Sequence, residues 1–230
     1  MRLRDRLADR PPVWCHSGGM IHHDAFYNGD EQSGVLLRDA RPDQLATFVC
    51  FTLDDEETYR AEQITDLGAD PTEWTSFRFA ETTSGDVTLG TRDDRGVNVG
   101  GVLLEPDAVP SYLGWRILTE LAGVGGERAR FHQFDEHGDP RVREAEYVSR
   151  GLEAIDVPGL ALEAAYRFDL LLDGAPYTSH WWDGRHVVAS DWTGGAMSVR
   201  TPDLEAALAR CPVRVAERAR SWLAGRTPSA

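Results

Sequence analysis

A β-rich α+β fold is predicted by three features of the sequence: antiparallel meanders curving into a sheet or barrel-like cavity, with one central helix and terminal helices packed on it. Apolar residues occupy every second position from Leu160 to Leu172, the period of a strand with one buried face. Between Trp74 and Leu104, and again between Tyr177 and Trp192, short alternating runs are separated by turn sequences such as Ser84-Gly85-Asp86 and Asp183-Gly184. Helical spacing is clearest at 110–122 and near the C-terminal end.

Leu3 and Leu7 suggest a short helix at 1–9, stopped at Arg10-Pro11-Pro12 because a proline disfavours helical backbone just before it. Residues 13–30 are polar and glycine-rich and read as an irregular loop, a common place for functional groups. Residues 34–38 and 45–53 are rich in β-branched and aromatic side chains and read as strands, and 54–67 reads as a short acidic helix. In the meander from Trp74, Phe77 and Phe79 alternate with Arg78 and Ala80, and three strands are expected by Leu104.

Pro110 and Ser111 open a helix with Tyr112, Trp115, Leu118 and Leu121 on one face. The glycines at 123, 125 and 126 follow this helix, so they end it and do not form a dinucleotide-binding loop. Residues 129–136 and 142–150 form a hairpin ahead of the second meander. If Asp183 and Gly184 are the two turn residues, Trp182 faces Arg185 and His180 faces Val187. Thr201 with Pro202 reads as a helix cap, and after Pro212 a stripe of Val215, Ala219, Trp222 and Leu223 marks a last helix. One domain, 1–230, is expected, with two half-units at about 34–122 and 127–224 as a candidate duplication.

Thirty-eight acidic residues oppose 24 basic ones, for a formal net charge of -14. Such a surface repels phosphate backbones and anionic lipid, so neither nucleic acid nor membrane is an expected partner. Every basic residue is Arg, which removes Schiff-base chemistry and lysine phosphate loops. Cys15, Cys50 and Cys211 are widely spaced and odd in number, which argues against a disulfide framework and for a reducing cytoplasm. The arginine- and aspartate-rich first ten residues contain no apolar leader segment.

Three constellations could carry chemistry. In the loop, His22 or His23 beside Asp24 suits acid/base work, while His16, His22 and Asp24 offer an alternative metal site. Cys15 and His16 are adjacent and point apart, a poor nucleophile and base. In the hairpin, Tyr177, Trp181, Trp182 and His186 would line a ligand cavity around His180. Arg78 would anchor an anion, and Glu105, ending a strand before Pro106, would be a base whose affinity for protons burial raises. The acidic runs at 54–57 and 135–139 lack EF-hand spacing and read as solvated surface.

Together these features lead to an intracellular enzyme performing metal-independent cyclisation, isomerisation or addition–elimination on a small apolar or aromatic metabolite, with His22, His180 and Glu105 moving protons. No cofactor is expected. The alternative is a non-catalytic carrier, or an acidic partner of a basic protein steered by charge. A metal-dependent enzyme at His16, His22 and Asp24 is a third reading, and a homodimer is kept as a possible assembly.

Overall fold

The computed structural model describes residues 19–53, 57–82, 84–137, 140–157, 160 and 162–226. The helix expected at 1–9, together with Cys15 and His16, lies outside the described residues. The first eight strands are Met20–Asn28 (β1), Glu31–Ala40 (β2), Gln44–Thr52 (β3), Thr58–Leu67 (β4), Trp74–Glu81 (β5), Val87–Asp93 (β6), Gly96–Val99 (β7) and Val102–Leu104 (β8). Ala108–Pro110 (β9) leads through a 3-10 turn at Ser111–Leu113 into the helix Gly114–Gly123 (α1). Six strands follow: Arg128–Phe134 (β10), Val142–Ala154 (β11), Ala164–Leu172 (β12), Ala175–Trp182 (β13), Val187–Trp192 (β14) and Ala196–Thr201 (β15). Two helices, Leu204–Leu208 (α2) and Val213–Ala224 (α3), complete the described chain.

The described strands form one 15-stranded sheet in the order β8-β7-β6-β5-β4-β3-β2-β1-β15-β14-β13-β12-β11-β10-β9. Almost every strand pairs with its neighbours in sequence; the exception is β1 beside β15, with His23 opposite Thr201 and Asn28 opposite Ala196. The two edges, β8 and β9, are joined directly by residues 105–107, so the sheet is a nearly closed barrel, as the meanders predict. The β9–β10 pair is parallel, which requires a crossover, and α1 supplies it.

Alternation sorts the side chains into inner and outer sets. Leu36 and Ala40 of β2 and Leu45 and Val49 of β3 join the main core inside the barrel. Val35, Leu37, Phe48 and Cys50 point outward, where α2 and α3 cover them with Leu208, Val215, Ala219 and Trp222. The central helix is enclosed by strands: Leu113, Ile117, Leu118 and Leu121 are at most 1% exposed and share a core with Phe77, Val97 and Phe134. Buried Arg116 donates to the carbonyls of Gly68 (3.0 Å) and Glu73 (3.5 Å), tying the helix to the β4–β5 turn.

Several sequence expectations change. The irregular loop becomes β1 from Met20, because β2 and β15 flank it and satisfy its backbone. The acidic helix at 54–67 is strand β4 from Thr58; Thr58, Tyr59, Ile64 and Thr65 favour a strand, and β3 and β5 pair on both sides. The first meander has four strands, β5 to β8, where three were expected. The hairpin turn has four residues, because Asp183 Oδ1 accepts from the amides of Arg185 (2.7 Å) and His186 (2.6 Å). Trp182 therefore faces Val187 and His180 faces Ser190, with a bulge after Trp181. Thr201 ends β15, and the cap of α2 is Asp203, whose side chain accepts from Ala206 N at 2.8 Å.

Beside the 3-10 turn that leads into the helix, Glu136 is 1% exposed. It accepts from Ser111 Oγ at 2.5 Å and from the amide of Tyr112 at 3.3 Å. Burial is the main cause that pushes its carboxyl up to about 7, against these hydrogen bonds. A raised folded value means the folded state holds the proton more tightly, so this contribution is complete below about pH 4.5 and lost as pH rises through 7, by about 3 kcal/mol. Urea unfolding of wild type and Glu136→Gln between pH 4.5 and 8 should show the variant gaining on wild type by that amount. Parallel profiles would rule the account out.

Candidate functional site

The barrel interior has an apolar side, formed by β5, β7, β9, β10 and α1, and a polar side. On the polar side Asp24 (β1) and Arg38 (β2) are 7% and 5% exposed and form an ion pair at 2.8 Å. Burial works against both charges, and their contact offsets it. His22 accepts from Arg200 at Nδ1 over 2.8 Å, and burial followed by Arg200 pushes it down to about 3. Its other contacts are Trp115, edge-on at 4.8 Å between ring centroids, and His186 at 6.2 Å.

Between these sides lies a cavity of about 700 Å³, within the range of small-molecule sites. Its apolar wall includes Phe26, Leu36, Phe134, Leu170 and Leu172, and Trp115 and Trp192 also face it. Its inner polar wall is Arg38, Thr47, Gln133, Tyr147, Thr178 and His180. His180 is bonded at both ring nitrogens, to Ser190 Oγ (2.8 Å) and Thr178 Oγ1 (3.1 Å), and burial pushes it down to about 3. It is a neutral hydrogen-bonding group at physiological pH. Burial pushes the Tyr147 hydroxyl well up, so it too keeps its proton.

Thr47 and Gln133 are 3% and 7% exposed, and Thr47 Oγ1 and Gln133 Oε1 have no hydrogen-bond partner among the described residues. Unpartnered buried polar atoms cost about 1–3 kcal/mol each, and both of these residues line the cavity. The outer end of the cavity is reached by Asp135, His137, Arg141 and Arg143 around the β10–β11 connection and by Tyr177 and Thr193. There His137 binds Asp135 through Nδ1 (2.8 Å) and Tyr59 Oη through Nε2 (3.1 Å). The hydrogen bond to Asp135 is the main cause that raises the His137 value.

The residues singled out from the sequence are thus dispersed. His180 and Tyr177 line the cavity, and Trp182 lies in the adjoining core. His22 and His186 gather with Arg200 around Trp115, and both His22 Nδ1 and the Asp24 carboxylate are engaged by guanidiniums. Trp181 is on the outer face, donating to Glu153 at 2.9 Å. Arg78 is exposed because Phe77 and Phe79 take the inward positions of β5. Glu105 is exposed on the β8–β9 link, where with Asp107 and His132 it forms a group of ligand-type atoms within 4.8 Å of one another. Glu105 therefore lacks the burial expected of a base, and it does not share a site with His180. Burial raises the thiols of Cys50 and Cys211, the latter to about 12, against a nucleophilic role.

Sequence reading missed Arg38, Gln133 and His137. Arg38 closes an apolar strand, and Gln133 follows the inward positions Ala129 and Phe131 at period two; a polar residue on an apolar face is the available signal. His137 lay in a run read as solvated surface.

Because Asp24 neutralises a buried guanidinium, Asp24→Asn should destabilise the fold by about 3–5 kcal/mol in urea unfolding. The paired replacement Asp24→Leu with Arg38→Met should recover most of the loss. Equal losses in both would show that the charges do not act as a pair.

No family model and no curated protein matches the chain. Among solved structures it is similar to the β-barrel-like protein of domain of unknown function DUF1849 from Brucella abortus, with 13% identity and a TM-score of 0.50, over 80% of this chain and 96% of that one. It is also similar to a DUF1089 family protein from Pseudomonas aeruginosa, with 17% identity and a TM-score of 0.46, over 73% of this chain and 92% of that one. At such identity the first likeness speaks for the fold alone, and it is a barrel-like fold.

Proposed function

We propose that this protein binds a small, largely apolar metabolite inside the barrel and acts on it as a carrier or receptor. The observation that carries this reading is the cavity of about 700 Å³ in which buried Thr47 and Gln133 keep unpartnered oxygens. A ligand with a hydroxyl or amide N–H beside them supplies the donor they lack, while the aromatic and aliphatic wall contributes contact area. The inner wall is suited to holding and poorly suited to proton transfer. His180 has a value near 3 with both nitrogens bonded, and Arg38 is paired with Asp24.

A second reading, acid/base catalysis on the bound molecule, is favoured by the Asp135–His137–Tyr59 line at the cavity's outer end. A histidine oriented by a carboxylate, whose hydrogen bond raises its affinity for protons, is a competent proton carrier. Mass spectrometry of a bound metabolite after incubation separates the two readings. Product that disappears in His137→Gln supports catalysis, and unchanged ligand supports binding alone.

The test of the binding reading is Gln133→Leu. Removing an unpartnered amide oxygen should raise the melting temperature by about 2–4 °C in the ligand-free protein. The same change should weaken any metabolite that shifts the wild-type melting temperature and quenches tryptophan emission through Trp115 or Trp192. A variant that loses stability and keeps its ligand would defeat the proposal.

A further inference from the structure

The protein carries 38 acidic and 24 basic residues, yet the balance reverses on the cavity walls. Among the described residues, Arg38, Arg141 and Arg143 line them against a single carboxylate, Asp135. The three guanidiniums are not equivalent. Arg38 is 5% exposed and neutralised by Asp24 at 2.8 Å, so the inner end has no free charge to compensate an anion, and an ion placed there would lose its hydration without return.

Arg141 and Arg143 are exposed at the outer end. Among the described residues Arg141 has no ion-pair partner, and Arg143 has only a loose one, Asp173 at 3.8 Å. Asp135 is engaged by His137 at 2.8 Å. Between the two ends run Phe134, Leu170 and Leu172.

We propose that the ligand is an amphiphilic anion in free solution, with its carboxylate, sulfonate or phosphate at the outer end between Arg141 and Arg143 and its apolar body against Phe134, Leu170 and Leu172. This rests on the binding reading above and adds the ligand's class and direction. An anion at the solvent-facing end keeps part of its hydration while gaining two guanidinium partners, which bind such oxyanions through forked hydrogen bonds. The neutral polar groups at the inner end meet the opposite end of the molecule.

Two related probes separate headgroup from body: 1-anilinonaphthalene-8-sulfonate carries the anion, and N-phenyl-1-naphthylamine is the same ring system without it. Fluorescence titration of the full chain should show both bound at one site, the sulfonate more tightly. The double variant Arg141→Gln with Arg143→Gln should weaken the sulfonate roughly tenfold, the sum of two exposed charge contacts, and leave the neutral probe within about twofold. Added salt should weaken the sulfonate selectively.

Equal affinity of the two probes for wild type, or a sulfonate unaffected by the double variant while the neutral probe binds, overturns the proposed headgroup position and leaves the binding reading standing. Failure of both probes to bind overturns the two together. Both residues are exposed, so unfolding of the variant is not expected, and unchanged binding of the neutral probe reports an intact cavity.

Discussion

A closed sheet of about eight strands is filled by its own side chains, and the enclosed volume grows with strand number. The 15-stranded sheet here leaves a lumen that strand side chains alone do not fill, and the rest of the structure follows from that. A buried helix occupies part of the space, with Arg116 in its first turn reaching the β4–β5 connection and Glu136 holding the preceding 3-10 turn through Ser111 and Tyr112. The cavity is the part of the lumen the helix leaves over. Gly114 lets the helix lie close to β11: a Cβ there would stand 3.1 Å from the Tyr147 hydroxyl, which would have to give by a few tenths of an ångström.

The polar side of the lumen depends on charges cancelling in place. Asp24 closes on Arg38, and Arg200 takes the free nitrogen of a neutral His22. The first contact pairs two buried charges, which is what a low-dielectric interior tolerates, and the second gives a half-buried guanidinium a neutral acceptor. They also engage His22 and Asp24, two of the groups that the sequence nominates for chemistry. His22 and Asp24 do share a face, as their spacing implies, but each meets a guanidinium from another strand.

The barrel was legible because period two survives wherever one face is buried and the other wet. In β12, Phe168, Leu170 and Leu172 point inward as their spacing requires, and the central helix and α3 were visible in their stripes. What was hidden depended on pairing partners distant in sequence. Residues 58–67 contain enough Glu, Gln and Ala to resemble a helix, and only β3 and β5 on either side make them a strand. The hairpin was placed on the wrong register because Asp183 caps a four-residue turn, which moved Ser190 and Trp192 to the face of His180. Tyr177 and His180 were read into a cavity from their mixture of aromatic and polar neighbours. Gln133 could not be, since one polar residue in Phe-His-Gln-Phe has no meaning until its face is known.

The unpartnered oxygens of Thr47 and Gln133 bear most directly on what the cavity is for. A lumen built for stability alone would carry valine and leucine at these positions, gaining apolar burial and removing two polar groups that lack partners. Keeping them costs the barrel stability, and in the proposed binding function a ligand that reaches them would recover part of that cost. The exposed part of the cavity wall lies at the end bearing the β10–β11 connection, where Asp135, Arg141 and Arg143 reach it. A molecule entering there passes charged side chains first, then aliphatic ones, and reaches uncharged hydrogen-bonding groups last. That order of side chains is a property of the chain's own residues, and it is the feature on which the proposed elongated guest rests.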